Sequence, residues 1–186
     1  LKHTSFTSVE DYKENLHFII LENFNFSYDV MDAWAEEKPD KLALLWTNDE
    51  GEERRATFKD LKEQTDQAAS YFQTLGIGHG DMVMLILKRH YEWWISMLAL
   101  HKIGAVAIPA THMLTKHDII YRNTRATVKA IICVGEEYVL SQIQEAMSES
   151  PSVKIYISVG TNVPAGFHDW HKEIVNAPKF VRPEHV

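Results

Sequence analysis

Ten histidines, one cysteine and a glycine-rich turn are the residues whose types could do chemistry in this 186-residue sequence. His168 and His171 sit three positions apart, and His112 and His117 sit five apart. A zinc centre needs three or four convergent ligands, and one cysteine leaves the donor supply thin, so no metal centre is expected. Cys133 lies inside the apolar run 130–134 (AIICV), where a thiol is desolvated and behaves as an inert small hydrophobe. Gly76, Gly78 and Gly80 alternate as a phosphate-cradling loop would. Such a loop must leave a strand and open a helix, so that backbone N–H groups and the helix dipole face the anion. Here a helix enters and a strand leaves, which makes the glycines a helix C-cap and a tight turn. GxxxxGK[ST] and GxSxG are both missing from the sequence. Trp93 and Trp94 read as core and interface aromatics.

The elements that must position any site follow from periodicity. Ser8-Val-Glu-Asp is capping chemistry for a short first helix. Ser27 is expected to cap a second, with Val30, Met31 and Trp34 on one face and Pro39 ending it. Residues 41–47 (KLALLWT) and 54–58 flank the turn residues Asn48-Asp-Glu-Gly, which predicts an antiparallel hairpin. From Lys59 to Leu75, the residues Leu61, Thr65, Ala68, Ala69, Phe72 and Leu75 recur at helical spacing. Four unbroken apolar runs then begin at residues 82, 105, 130 and 153, alternating with helical segments. Unbroken runs mean burial on both faces, and this alternation means a parallel sheet. The expected fold class is therefore α/β: a parallel sheet of at least four strands with helices on both faces, an N-terminal helical segment and a small β-hairpin. The expected division is residues 1–26 as an N-terminal extension, 27–160 as an α/β subdomain and 161–186 as a polar tail leaving the core.

Composition narrows the classes further. Hydrophobic residues make up 45% and charged ones 24%, proportions of a packed domain rather than a disordered chain. Nineteen lysines and arginines against 26 acids give a formal charge of −7, which argues against a nucleic-acid surface. No run approaches the roughly 20 apolar residues of a bilayer span. One cysteine favours a reducing compartment, and the expectation is a cytoplasmic protein. The sequence opens on Leu1 rather than Met, so the natural N-terminus is expected upstream. In open parallel sheets, ligands bind at the carboxyl ends of strands. Those ends are Lys88 to His90, Pro109 to Leu114 and Gly135 to Tyr138. The segments yield a buried sheet but no catalytic constellation.

Several segments together resemble the beginning of an AMP-forming acyl-CoA synthetase of the adenylate-forming superfamily. Thr57-Phe-Lys-Asp-Leu through Phe72-Gln-Thr-Leu-Gly76 and Gly80-Asp81-Met-Val-Met-Leu is similar to the first core motif. Met97-Leu-Ala-Leu-His-Lys-Ile-Gly-Ala-Val-Ala-Ile-Pro109-Ala is similar to the second. Asn25-Phe-Ser-Tyr-Asp-Val, residues 46–55 (WTNDEGEERR) and Tyr91-Glu-Trp-Trp resemble the acetyl and medium-chain branch. The resemblance implies an enzyme that joins a carboxylic acid to ATP, with Mg2+, and passes the acyl group to the thiol of coenzyme A. The Ser/Thr/Gly-rich phosphate loop ending in Pro-Lys and the other nucleotide motifs are missing from these 186 residues. The expectation is thus a fragment of about the first third of a family member, inactive alone and without catalytic residues.

One family site is implied within the sequence. The loop after the second core motif approaches the nucleotide portion of coenzyme A, which by position assigns Thr111, His112 and Met113. Met113 departs from the glycines or glutamine of close relatives and offers only van der Waals contact or a backbone group. His112 meets a phosphate only when protonated, and an unperturbed imidazole is mostly neutral at pH 7. Exposed apolar surface and self-association are expected of a fragment. Two alternatives stand beside this reading: a free-standing flavodoxin-like module that binds a nucleotide or a protein, and an adenylation domain with a different acceptor.

Overall fold

The computed structural model describes residues 5–17, 22–184 and 186. Residues 1–4 and 18–21, within the expected extension 1–26, lie outside that set. Helix α1 (Val9–Asn15) starts where Ser8 accepts a hydrogen bond from the Asp11 backbone N–H. The Asp11 carboxylate reaches back to the Thr7 N–H rather than to Ser8, so the reciprocal half of the capping motif is displaced by one residue.

The second helical segment departs from expectation. Asn25 caps it, its side-chain oxygen accepting from the Ser27 N–H at 3.0 Å, while Ser27 is buried and donates its hydroxyl to the Leu98 carbonyl at 2.8 Å. Residues Ser27–Asp32 form a π-helical turn that runs into α2 (Ala33–Glu37). The wider turn rotates the inward face, so Ser27, Asp32 and Ala35 are buried and Val30, Met31 and Trp34 are only half-buried. Strands β1 (Leu42–Thr47) and β2 (Glu53–Thr57) pair antiparallel, as the turn residues predict.

Helix α3 (Phe58–Thr74) opens with a full capping box between Thr57 and Asp60. It closes on Gly76 at φ +82°, with the Ile77 N–H bonded to the Phe72 carbonyl and the Gly76 N–H to that of Gln73. That is the two-bond pattern of a helix ending on a left-handed residue, which confirms the structural reading of the glycine turn.

The main sheet contains β3 (Met82–Ile86), β4 (Val106–Pro109), β5 (Ala130–Val134), β6 (Ile155–Val159) and β7 (His168–Asp169), in the order β4-β3-β5-β6-β7 with every pair parallel. The connecting helices are α4 (Glu92–Lys102), α5 (Lys116–Ala126) and α6 (Glu137–Ala146). Helices α3 and α4 pack together on one face, and α5 and α6 pack together on the other. All five residues of β5 are buried, as two-faced burial requires, whereas β4 lies at the sheet edge and leaves Val106 42% exposed, contrary to the burial expected of its apolar run.

The tail does not leave the core at Thr161. It returns as β7 and α7 (Trp170–Ile174), and Trp170, 3% exposed, packs against Phe72 and Tyr71 of α3. Only two residues of β7 are extended, too few for a periodicity signal.

Beneath α2, α3 and α4 lies a buried ion network. The Lys102 ammonium, fully buried, touches both Asp32 oxygens at 2.8 and 2.9 Å and Asp66 Oδ1 at 2.6 Å; Lys62 meets Asp66 at 2.9 Å. Lys62, a third exposed, also lies 3.6 Å from Asp32, so removing the fully buried cation leaves the two carboxylates with one partly solvated partner; Lys102→Met should lower stability by about 3 kcal/mol, the low end for breaking a buried pair, in urea unfolding.

Candidate functional site

The strand order reverses direction between β3 and β5, the first from which the chain moves outward to β4 before returning. In such sheets the crevice at that reversal is where ligands bind. The chain leaves β3 through Lys88, which takes the left-handed conformation at φ 49°, unusual for a residue with a Cβ. Its ammonium reaches across the reversal to Glu136 Oε1 at 2.6 Å, just beyond β5. At the same place Gly135 permits a close approach of the backbone: a Cβ there would stand 2.7 Å from the Asn162 carbonyl oxygen.

Above these strand ends opens a cleft of about 660 Å³. The β1–β2 hairpin forms its outer wall. Trp46 donates its indole N–H to the Arg89 carbonyl at 2.5 Å and meets the Tyr91 ring edge-on at 5.5 Å, while the Arg54 guanidinium lies 3.8 Å from the Tyr91 ring centre. The two sequence segments 46–55 and Tyr91-Glu-Trp-Trp, far apart along the chain, therefore build one wall and one floor.

The floor is Glu92, in the first turn of α4 and 2% exposed. His90 and His171 stand over it, with His171 Nε2 at 3.4 Å from Oε1 and His90 Nδ1 at 3.8 Å from Oε2. Burial, followed by the Glu92 charge beside it, pushes the Tyr91 phenol up to about 12, so it remains a neutral donor at physiological pH.

Of the residues assigned from the β4–α5 loop, His112 lines this cleft, half-buried. Thr111 and Met113 are exposed outside its lining, Met113 at 70%, and the Met113 N–H donates to the Thr111 hydroxyl at 3.3 Å. Cys133 is buried in β5, its thiol pushed up to about 12 by desolvation and its Sγ bonded to the Ile157 carbonyl, as the inert reading requires. The pair His168 and His171 does not converge: His168 bonds Glu173 at 2.8 Å, while His171 faces Glu92. Among the described residues no group of three or more histidine, cysteine or acidic side chains is arranged to hold a metal. Glu92 was not singled out from sequence. The available signal was an acid beginning a helix whose next residues are all apolar or small.

His171 reaches the cleft because α7 is held down. Glu173 Oε2 accepts from the Tyr71 hydroxyl at 3.1 Å and meets His168, and Glu173 Oε1 accepts from the Asp169 N–H at 3.0 Å. Burial alone would raise this carboxyl, but those hydrogen bonds outweigh it and hold it below its usual range. A depressed carboxyl stabilises the fold above its unfolded value of about 4.3 and loses that contribution as pH falls through its folded value. Glu173→Gln should therefore be less stable than the native protein at neutral pH, with the gap closing on acidification below about pH 4, in urea melts that follow tryptophan fluorescence.

Comparison with known proteins bears on the same residues. A family model described as AMP-binding enzyme matches residues 31–184. Human mitochondrial acyl-coenzyme A synthetase ACSM2A is 35% identical over 155 residues, covering 80% of this chain and 26% of that protein. Human mitochondrial acyl-coenzyme A synthetase ACSM1 is 32% identical over 171 residues, covering 89% and 29%. The chain thus spans between a quarter and three-tenths of the length of these relatives. Among solved structures, the anthranilate CoA ligase AuaEII in complex with anthranoyl-AMP superposes with a TM-score of 0.79 at 20% identity, over 89% of this chain and 30% of that one, which shows the shared fold.

Proposed function

The chain belongs to the family of AMP-binding enzymes, and from that premise we propose that it is the amino-terminal α/β portion of an acyl-CoA synthetase. The observation that carries this reading is the extent of the match: 80–89% of the chain aligns to proteins named acyl-coenzyme A synthetases, over 26–29% of their length. The whole enzyme would activate a carboxylic acid with ATP as an acyl-adenylate and pass it to coenzyme A. The physical need is a leaving group, because a carboxylate is a poor electrophile and its adenylate is a good one. Charge developing on phosphate during that step needs cationic stabilisation.

The described residues do not fit the Mg2+ that the family implies, since none of their acidic and imidazole groups converge as a metal site. On this reading magnesium, which is commonly held by one or two carboxylates together with substrate phosphates, and the ATP phosphates are bound by other parts of a full-length synthetase. What this chain's residues contribute is a rigid sheet whose β4–α5 loop, with His112 at the rim of the cleft, presents to the nucleotide portion of coenzyme A.

The test uses two polypeptides: the 186-residue protein and a full-length synthetase beginning with it. The longer one should release pyrophosphate and form acyl-CoA, and the shorter should do neither and give no heat with coenzyme A or ATP in calorimetry. In the longer one, His112→Ala should raise the KM for coenzyme A several-fold and leave that for ATP unchanged. Turnover by the 186-residue protein, or adenylate without thioester from the longer one, defeats the proposal. Tight nucleotide binding by the short chain would establish a free-standing module instead.

A further inference from the structure

Strand β1 is apolar from Leu42 to Trp46, yet none of its residues is buried. An unbroken apolar run ordinarily belongs to a strand covered on both faces. The pairing with β2 shows where the cover is missing. An irregularity between Leu42 and Leu44 sets Leu42 opposite Thr57 and Leu45 opposite Arg55, so both leucines share the face of Glu53 and Arg55. On the other face Ala56 is buried, and Leu44 and Trp46 are half-buried. Leu42 and Leu45 stand 45% and 49% exposed.

That outer face is unevenly made. Its β2 half carries the Arg55–Glu53 ion pair at 2.6 Å, while its β1 half carries only the leucines and Thr47. The two edges of the hairpin differ in the same way. Strand β2 holds Glu53, Arg54 and Arg55, the kind of charges that keep a free edge from pairing, whereas Leu42–Thr47 has none. Among the described residues β1 has no ladder partner besides β2, so its outward N–H and C=O groups form an open template. Open edge and apolar face meet on one strand. They fit an extended segment that hydrogen-bonds along β1 and lays apolar side chains over Leu42 and Leu45.

Two sources could supply it. A second copy brings another formal charge of −7 against the first, which opposes close pairing. The other source is larger: the chain matches only 26–29% of the length of its synthetase relatives, so most of such an enzyme lies outside it. We propose that β1 is the docking edge for a strand from the remainder of the synthetase, which extends the hairpin into a larger sheet and covers Leu42 and Leu45. The inference rests on the acyl-CoA synthetase reading and adds to it a seam between this chain and the rest of the enzyme. Trp46 ties that seam to the cleft, since its indole N–H bonds the Arg89 carbonyl beyond β3.

The test is amide hydrogen exchange read by mass spectrometry in the 186-residue protein and in a full-length synthetase beginning with it. Peptides spanning Leu42–Thr47, normalised to those of β5 in the same protein, should exchange at least about tenfold more slowly in the longer one. Leu45→Lys should leave the urea midpoint of the short chain unchanged, because the site is half exposed there. It should lower the midpoint of the longer protein, and a longer variant that fails to fold beside a folded short one is the same result at its limit. Equal normalised exchange of β1 in both proteins overturns the proposal, as does an equal effect of Leu45→Lys on both. Protection of β1 in the short chain that grows with its concentration assigns the edge to a second copy and overturns it too. Protection of β1 in a longer protein that forms no acyl-CoA upholds the docking edge and sinks the acyl-transfer reading instead.

Discussion

The covering of β3 and β5 on both faces is the constraint on which the rest of the molecule depends. Every residue of β5 and all but the first of β3 are buried. A strand in that position offers no surface to solvent, and its polar backbone groups are spent in the ladders to its neighbours. Polar chemistry is left to the strand ends. The reversal of strand order then concentrates it further, because β3 and β5 are neighbours whose exit loops diverge. Lys88 in its left-handed conformation, Glu136 reaching back to it and Gly135 pressed against the Asn162 carbonyl all lie at that divergence.

Two devices hold the helical layer that frames the cleft. One is the Lys102 network, which joins the second helical segment to α3 and α4 through three carboxylate contacts to a fully buried ammonium. Its worth lies less in net stability than in the cost of removing one member, which fixes how the three helices meet. The other is the return of the tail. Trp170 fills the space over Phe72 and Tyr71, and Glu173 gathers Tyr71, His168 and the Asp169 N–H, which carries His171 to Glu92. The hairpin completes the enclosure through the Trp46 bond to the Arg89 carbonyl.

Much of this was legible from residue order. The runs at 82, 105, 130 and 153 give β3 to β6, and Leu61, Ala68, Phe72 and their neighbours give α3, because continuous and 3.6-residue periodicities over that length have few competing explanations. The glycine turn was equally plain, since its place between a helix and a strand excludes a phosphate loop. Ser27 misled because a small polar residue at a helix start reads as a cap, whereas here it is needed inside to bond the Leu98 carbonyl. The tail misled because its buried anchor is a single tryptophan among prolines and charges, and one residue carries no period. The assignment of His112 came from position within a resemblance, and the structure places it at the cleft rim while leaving Thr111 and Met113 outside.

The sequence by itself determined the class of fold, the order of its elements and the burial of β3 and β5, because these follow from local periodicity and from where apolar residues cannot be left in water. It also excluded an internal disulfide and a phosphate loop, because those need residues or an order of elements that are not there. Only the tertiary structure decided which distant segments meet. Trp46, Tyr91, Glu92 and His171 share a cleft because the hairpin folds over the β3–α4 loop and the tail doubles back, and no spacing along the chain encodes either approach. The same is true of the buried Glu92 carboxylate: that His90 and His171 stand over it depends on what surrounds it in space, and sequence alone does not contain that.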